Sequence, residues 1–176
     1  MYGINKHNHL LQKQRNRGQD GAGLATIKID PYPGTRYISR KRSNASNYLD
    51  DLFQGVYQHF NELSEEQLAD PAWLKKNMPY AGEVLMGHLR YGTHGINTIE
   101  TCHPFLRQNN WMSRNLVMAG NFNMTNTDEL FEELIELGQF PKERSDTVTM
   151  MEKIGHFLDD EVQQLFDHFK RVGYTN

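Results

Sequence analysis

The chain has 176 residues, of which 38% are apolar, so it is long enough for one substantial hydrophobic core and predicts a single domain. Its net charge is −3 at neutral pH with both signs interspersed, which argues against nucleic-acid binding because phosphate contacts need a basic surface. No run of about 18 apolar residues and no secretory signal pattern is present, and the single cysteine, Cys102, cannot form an internal disulfide. These features predict a cytoplasmic protein without membrane spans.

The first elements in chain order are a helix, a glycine-rich loop and a hairpin. A polar opening segment around Leu10 predicts the helix, and RGQDGAG at residues 17–23 predicts the loop. LATIKI at residues 24–29 and RYISRK at residues 36–41 predict two strands, because the turn sequence DPYPG separates them.

The middle of the chain predicts helices followed by two strands. After Asn47, apolar residues recur at helical spacing on one face: Leu52, Phe53, Val56, Phe60 and Leu63. Ser64 and Gln67 have the spacing of a capping box, which begins a short helix. EVLMGHLRY at residues 83–91 and WMSRNLVMAG at residues 111–120 predict strands, each of which ends in a polar loop that contains glycine.

The last part of the chain predicts two helices. Asn126 or Thr127 can cap the helix at residues 128–137, and Gly138 ends it. Ser145 caps a longer helix whose apolar residues follow three-four spacing, namely Val148, Met151, Ile154, Leu158, Val162, Leu165 and Phe169. The order of these elements indicates either α/β or α+β layering.

Polar side chains in the predicted loops suit the recognition of a free amino acid. Arg90 can donate two parallel hydrogen bonds to a carboxylate, with Thr93 adding a hydroxyl, although a surface ion pair is the simpler role. Asn121 can donate its amide to an oxyanion or merely form a turn. Asp146 can hold an ammonium group or merely interact with the helix dipole.

Other chemistries have weaker support in the sequence. Two pairs of candidate metal ligands are present, His7 with His9 and Cys102 with His103. No second pair accompanies either of them at the spacing of a zinc site, so no metal site is predicted. No serine lies in a GxSxG motif, and the glycines at residues 21–26 do not complete a dinucleotide-binding motif.

Four stretches together resemble one family. RGQDGAG, GHLRYGTHG, AGNFNMTN and RSDT are similar to the glutaminase domain of class II glutamine amidotransferases, particularly amidophosphoribosyltransferases of Bacteroidetes type. The resemblance covers almost the whole chain, including the insert at residues 43–79. It implies one glutaminase domain over residues 1–176 and an α+β, N-terminal nucleophile hydrolase-like fold, which is a four-layer αββα sandwich with two stacked antiparallel sheets.

The resemblance also implies an activity that needs a second domain. In the family, an N-terminal cysteine releases ammonia from glutamine, and a phosphoribosyltransferase domain transfers the ammonia to phosphoribosyl pyrophosphate in purine synthesis. We therefore expect glutamine, that missing domain and possible further copies of the chain as partners, and no nucleic acid or membrane. No cofactor is expected in these residues, because magnesium and phosphoribosyl pyrophosphate would belong to the missing domain.

The family's substrate-binding residues carry over by position. The resemblance implies that Arg90, helped by Thr93 and His94, binds the α-carboxylate of glutamine, and that Asp146 binds its α-ammonium group. These residues would hold the substrate at its two charged ends.

The catalytic residues carry over with one departure. Asn121 would supply the oxyanion-hole amide, and Arg17 and Gly18 would shape the pocket around the nucleophile. Phe122 stands where the family usually has glycine; its backbone N–H can still donate, but its side chain restricts φ and crowds the pocket.

The family's nucleophile has no counterpart before Arg17. Cys102 lies in the later ETCHPF stretch and has no free α-amino group as its base, so we expect it to be a packing residue. We accordingly expect the chain to be a fragment that does not turn over glutamine as written. The alternatives are a noncatalytic glutamine-binding or scaffold domain, and the glutaminase domain of another class II enzyme such as glucosamine-6-phosphate synthase or asparagine synthetase.

Overall fold

The computed structural model describes residues 1–92 and 98–174. The chain divides into two compact units, Met1–Pro104 (unit 1) and Phe105–Asn176 (unit 2). Each unit combines helices with an antiparallel sheet, so the α+β alternative is confirmed over α/β layering. The assignment of all 176 residues to one glutaminase domain stays a prediction.

Unit 1 is built on a three-stranded sheet. Its strands are β1 (Gly21–Ile27), β2 (Ile38–Ser43) and β3 (Val84–Arg90), in the order β2-β1-β3. Both pairings are antiparallel, and the β1–β2 hairpin is as predicted. β1 begins at Gly21, three residues before the predicted strand, because the second half of the glycine-rich stretch pairs with both neighbours.

Helices cover one face of this sheet. α1 (Tyr2–Lys13) and α2 (Tyr48–Tyr57) pack against the sheet. They share a buried core with Ala22 and Leu24, which are alternate residues of β1. Burying each large apolar side chain contributes about 1.5–3 kcal/mol. The buried members of this core are Ile4, Leu11, Ala22, Leu24, Tyr48, Leu49, Leu52, Phe53, Val56, Phe60 and Leu74.

The insert between β2 and β3 is mainly helical. α2 ends at Tyr57, so Phe60 lies beyond the helix but is still buried. The predicted capping box is confirmed: the backbone N–H of Gln67 donates to Ser64 Oγ at 3.2 Å, and that of Ser64 donates to Gln67 Oε1 at 3.0 Å. This box begins α3 (Glu65–Ala69).

A further helix, α4 (Pro71–Asn77), follows at once and was not predicted. Asp70 caps it by accepting from the backbone N–H groups of Ala72 and Trp73, and Pro71 occupies the first turn, where its missing N–H costs nothing. Both signals are present in the sequence at the position where α4 begins.

Unit 2 contains a two-stranded antiparallel sheet of β4 (Phe105–Arg107) and β5 (Leu116–Met118). β4 was not predicted. β5 is shorter than the strand expected at residues 111–120, because Met112–Arg114 forms a 3₁₀ turn.

Two helices complete unit 2. α5 (Thr127–Glu136) begins after Asn126, but the Asn126 side chain makes no capping hydrogen bond, so the predicted side-chain cap is not formed there. The helix is followed by Gly138 at φ +81°, a left-handed conformation that suits glycine, as predicted. α6 (Asp146–Arg171) begins at the predicted cap, where Ser145 Oγ accepts from the backbone N–H of Val148 at 3.3 Å.

The apolar stripe of α6 is buried only at its beginning. Val148 and Met151 are buried and pack with Phe105 of β4, whereas Leu165 is 56% exposed and Phe169 is 43% exposed. The apolar side chains near the end of the helix are therefore outside the buried core of unit 2. Over residues 1–92 and 98–174, no helix combines the length and apolarity that a membrane span requires.

Candidate functional site

Arg90 is the last residue of β3 and is only 8% exposed. Its carbonyl oxygen accepts from the backbone N–H of Asp20 at 3.0 Å, and the backbone N–H of Gly92 donates to Asp20 Oδ2 at 2.7 Å. The chain just before β1 is thereby bonded to the chain at and after the end of β3. Thr93 and His94, predicted to assist Arg90, lie outside the described residues.

The two predicted pocket-shaping residues differ in their surroundings. Arg17 is exposed in a 3₁₀ turn. Gly18 is buried against β3, where a Cβ would lie 2.7 Å from the carbonyl carbon of Leu89, and its own carbonyl accepts from the Tyr48 hydroxyl at 2.9 Å. Only glycine allows the chain to pass this close to β3.

Two glycines of β1 make room for the segment Thr98–Pro104, which carries the single cysteine. A Cβ on Gly21 would lie 2.7 Å from Cys102 Sγ, and a Cβ on Gly23 would overlap the His103 carbonyl oxygen. The glycines of this stretch therefore allow close packing against Cys102 and His103, in addition to allowing the chain to turn.

Arginines of β2 hold the same segment through its backbone. Arg42 Nη1 donates to the carbonyl oxygens of Glu100 at 3.1 Å and Cys102 at 3.0 Å. Arg40 Nη1 donates to that of Pro104 at 3.3 Å. Arg40 and Arg42 are two residues apart on one strand, so they project from the same face of the sheet. Sequence reasoning missed this role, although their alternation in RYISRKRS was visible.

Cys102 is fully buried. Its Sγ lies 3.7 Å from the Ser43 carbonyl oxygen, and burial raises the pKa of the thiol more than the charges of Arg90 and Arg42 lower it. A neutral thiol without solvent access is a poor nucleophile. These contacts agree with the expected packing role.

His103 packs against His88 of β3 with ring centroids 4.5 Å apart. Burial lowers the pKa of both imidazoles; that of His103 falls to about 4, with further lowering by His88, Arg90 and Arg42. The pair is therefore neutral at pH 7. Within the described part of the chain, His88 Nδ1 has no hydrogen-bond partner.

Asp146 is the first residue of α6 and joins that helix to the beginning of α5 and the loop before it. Its Oδ2 accepts from the backbone N–H of Met124 at 2.9 Å, and its Oδ1 accepts from the Thr127 hydroxyl at 2.6 Å. Each carboxylate oxygen has a second lone pair, so these bonds leave acceptor capacity. Ammonium binding by Asp146 stays a prediction.

Asn121 and Phe122 lie in the loop between β5 and α5. Asn121 is exposed and Phe122 is half-buried, with its ring folded over Gly120, where an added Cβ would overlap the ring carbons. Their role as an oxyanion hole stays a prediction.

The candidate residues fall into two groups. Arg17, Gly18 and Arg90 belong to unit 1, whereas the oxyanion residues and Asp146 belong to unit 2. The convergence of Arg90 and Asp146 on one substrate remains a prediction. Among the residues the structure describes, no three His, Cys, Asp or Glu side chains cluster in a way that could hold a metal ion.

Sequence comparison relates the chain to enzymes that use glutamine. No family model matches it. The amidophosphoribosyltransferase of Methanocaldococcus jannaschii is 30% identical over 164 residues, which cover 92% of this chain and 27% of that protein. The glutamine–fructose-6-phosphate aminotransferase of Zymomonas mobilis is 26% identical over 156 residues, which cover 87% of this chain and 19% of that protein. The homologues of this chain are class II glutamine amidotransferases.

A solved amidotransferase structure shares the fold. The glutamine phosphoribosylpyrophosphate amidotransferase from B. subtilis, complexed with ADP and GMP, superimposes with a TM-score of 0.50 at 23% identity, covering 81% of this chain and 24% of that one. The predicted N-terminal nucleophile hydrolase-like fold is confirmed by this likeness. The chain spans less than a third of each of these three amidotransferases.

Proposed function

We propose that this chain is the glutaminase domain of an amidophosphoribosyltransferase, which releases ammonia from glutamine for phosphoribosylamine formation. The observation that carries the proposal is the alignment with amidophosphoribosyltransferases along almost the whole chain. The magnesium ion, the phosphoribosyl pyrophosphate and the ammonia acceptor site would belong to another part of the larger enzyme. A cytoplasmic location, with which the single cysteine agrees, forms part of the proposal.

The buried guanidinium of Arg90 supports recognition of a free amino acid. Its planar fork can donate two hydrogen bonds to the α-carboxylate, and its low exposure strengthens that interaction because less water competes. Each carboxylate oxygen of Asp146 already accepts one hydrogen bond, from Met124 or Thr127, and its remaining lone pair would accept from the α-ammonium group.

These 176 residues by themselves would bind glutamine without hydrolysing it. Their only cysteine is Cys102, which is buried and has a raised pKa, so no accessible thiolate is present to attack the amide. Ammonia release by the 176-residue chain at a rate that saturates with glutamine would contradict this part of the proposal.

Titration calorimetry tests the binding. We expect the chain to bind glutamine, and Arg90→Lys to weaken binding roughly tenfold or more, because lysine cannot make the bidentate contact. 4-Aminobutanamide, which is glutamine without its α-carboxylate, should bind both proteins equally weakly. Arg36→Lys, at an exposed residue before β2, is the matched control. Equal glutamine affinity in the Arg90 variant and the native chain would contradict the proposal.

A second candidate is the glutaminase domain of a glutamine–fructose-6-phosphate aminotransferase. The Zymomonas mobilis relative favours it, because that alignment also covers most of the chain. The larger enzyme distinguishes the two: glutamine consumption that depends on phosphoribosyl pyrophosphate supports the first candidate, and dependence on fructose 6-phosphate supports the second. If the larger enzyme binds glutamine but never releases ammonia, the chain is a noncatalytic binding domain.

A further inference from the structure

We propose that Asp20 is a positioning residue that orients Arg90 toward the substrate carboxylate. The inference rests on the proposed function, because it assigns Asp20 a task in glutamine recognition. Asp20 belongs to the RGQDGAG stretch and is half-buried immediately before β1. It would not touch glutamine; it would act through the guanidinium of Arg90.

Asp20 bonds to the backbone on both sides of Tyr91. Its N–H donates to the carbonyl oxygen of Arg90 at 3.0 Å, and its carboxylate accepts from the N–H of Gly92 at 2.7 Å. One residue therefore fixes the backbone at which the side chain of Arg90 begins and the turn that follows it. Tyr91 itself is 60% exposed, so apolar packing of its ring contributes little to fixing this turn.

The same carboxylate shares a small space with the guanidinium. A Cβ on Gly92 would lie 3.0 Å from Arg90 Nη1 and 3.3 Å from Asp20 Oδ2. The guanidinium thus folds back over the Cα of Gly92, beside a group of opposite charge. A side chain at residue 92 would press on both groups, and the bond from the Gly92 N–H to Asp20 keeps this residue in place.

The anchoring bond is of the stronger kind, because its acceptor is ionised. Without it, the turn at Gly92 and the long Arg90 side chain gain conformational freedom, which glutamine must remove again on binding. Re-ordering one long side chain on binding corresponds to an affinity loss of about tenfold. The loss should affect only ligands that carry an α-carboxylate.

Three variants of the 176-residue chain test the role of Asp20. Asp20→Ala removes the acceptor, Asp20→Asn keeps an oxygen that can accept from Gly92, and Asp50→Ala removes an exposed carboxylate on α2 as the control. Calorimetry compares glutamine with 4-aminobutanamide. Heteronuclear NMR follows the backbone amide of Gly92 and the Nε–H of Arg90, which report on the turn and the guanidinium without any ligand.

We expect Asp20→Ala to weaken glutamine binding about tenfold, to leave 4-aminobutanamide binding unchanged, to speed amide exchange at Gly92 and to broaden the Arg90 signal. Asp20→Asn should retain most of the native behaviour. A general loss of folding would weaken both ligands equally and would contradict the positioning role.

Unchanged NMR signals and glutamine affinity in Asp20→Ala would overturn the inference. If the native chain binds no glutamine, the proposed function is contradicted for these residues. In that case the Gly92 and Arg90 signals still decide the inference: if both stay unchanged in Asp20→Ala, it is wrong.

Discussion

Acidification should destabilise unit 1 through the half-buried pair of His88 and His103. His103 has a pKa of about 4 in the folded chain, against 6.5 for an unperturbed imidazole, because it is buried and faces His88, Arg90 and Arg42. In the unfolded chain it takes up a proton near pH 6.5. Between these values the unfolded state binds more protons, so the contribution of neutral His103 to stability is complete above pH 6.5 and is lost as the pH falls toward 4.

The magnitude follows from the two pKa values. Full loss of the contribution corresponds to about 3 kcal/mol, since each pKa unit is worth about 1.36 kcal/mol. Between pH 7 and pH 5, where the folded imidazole stays mostly neutral, the loss amounts to about 2 kcal/mol. This is a substantial fraction of the stability of a small domain, which is about 5–15 kcal/mol.

Urea unfolding at pH 7 and pH 5, at constant ionic strength, measures this loss. Trp111→Phe serves as a common background, so that Trp73 alone reports on unit 1. The unfolding free energy of His103→Gln should fall by about 2 kcal/mol less than that of the parent between pH 7 and pH 5, because glutamine does not titrate. His9→Gln, at an exposed residue of α1, should behave as the parent does. An equal loss of unfolding free energy in His103→Gln and the parent would refute the reasoning.

Three substitutions test the packing and capping of the two units. Gly23→Ala adds a methyl group that overlaps the His103 carbonyl oxygen, so urea unfolding should show a loss of about 1–3 kcal/mol; a neutral effect would contradict the close approach. Ser145→Ala removes the cap of α6 and should lower the unfolding free energy of unit 2 by about 1 kcal/mol; unchanged melting followed by circular dichroism would argue against the cap. Leu134→Ala empties a fully buried position on α5 and should cost about 2–5 kcal/mol in the same melting experiment, and a cost well below this range would show that Leu134 is not in a tightly packed core.

Local signals predicted the beginnings and ends of several elements. The Ser64–Gln67 capping box, the cap at Ser145 and the left-handed Gly138 each depend on residues within four positions of one another, so the sequence alone is sufficient. β4 was missed because a strand of three residues shows too little alternation to be recognised.

Features that depend on distant partners were predicted less well. Gly21 and Gly23 suggested a loop, but they are strand residues that need both neighbouring strands and space for Cys102 and His103. The period of α6 correctly indicated an apolar stripe, yet periodicity does not say how much of a stripe another element covers.

The sequence predicted which residue types could form the candidate site, but it did not predict the hydrogen bonds that hold those residues in place. Arg90 was singled out from its motif, and the structure places it at the end of a strand with low exposure. The bonds from Asp20 to the neighbourhood of Arg90 join positions about 70 residues apart, and sequence spacing contains no sign of them.

Arg40 and Arg42 bond to main-chain carbonyl groups of Thr98–Pro104, so the backbone of this segment can keep its position when its exposed side chains change. Every residue type supplies the same carbonyl acceptor, so exposed side chains in this segment, such as that of Glu100, can be exchanged without loosening the attachment. Loss of Arg42, in contrast, would remove the bonds to Glu100 and Cys102 together, and loss of Arg40 would remove the bond to Pro104. Variation between lineages should therefore be tolerated more readily at position 100 than at positions 40 and 42.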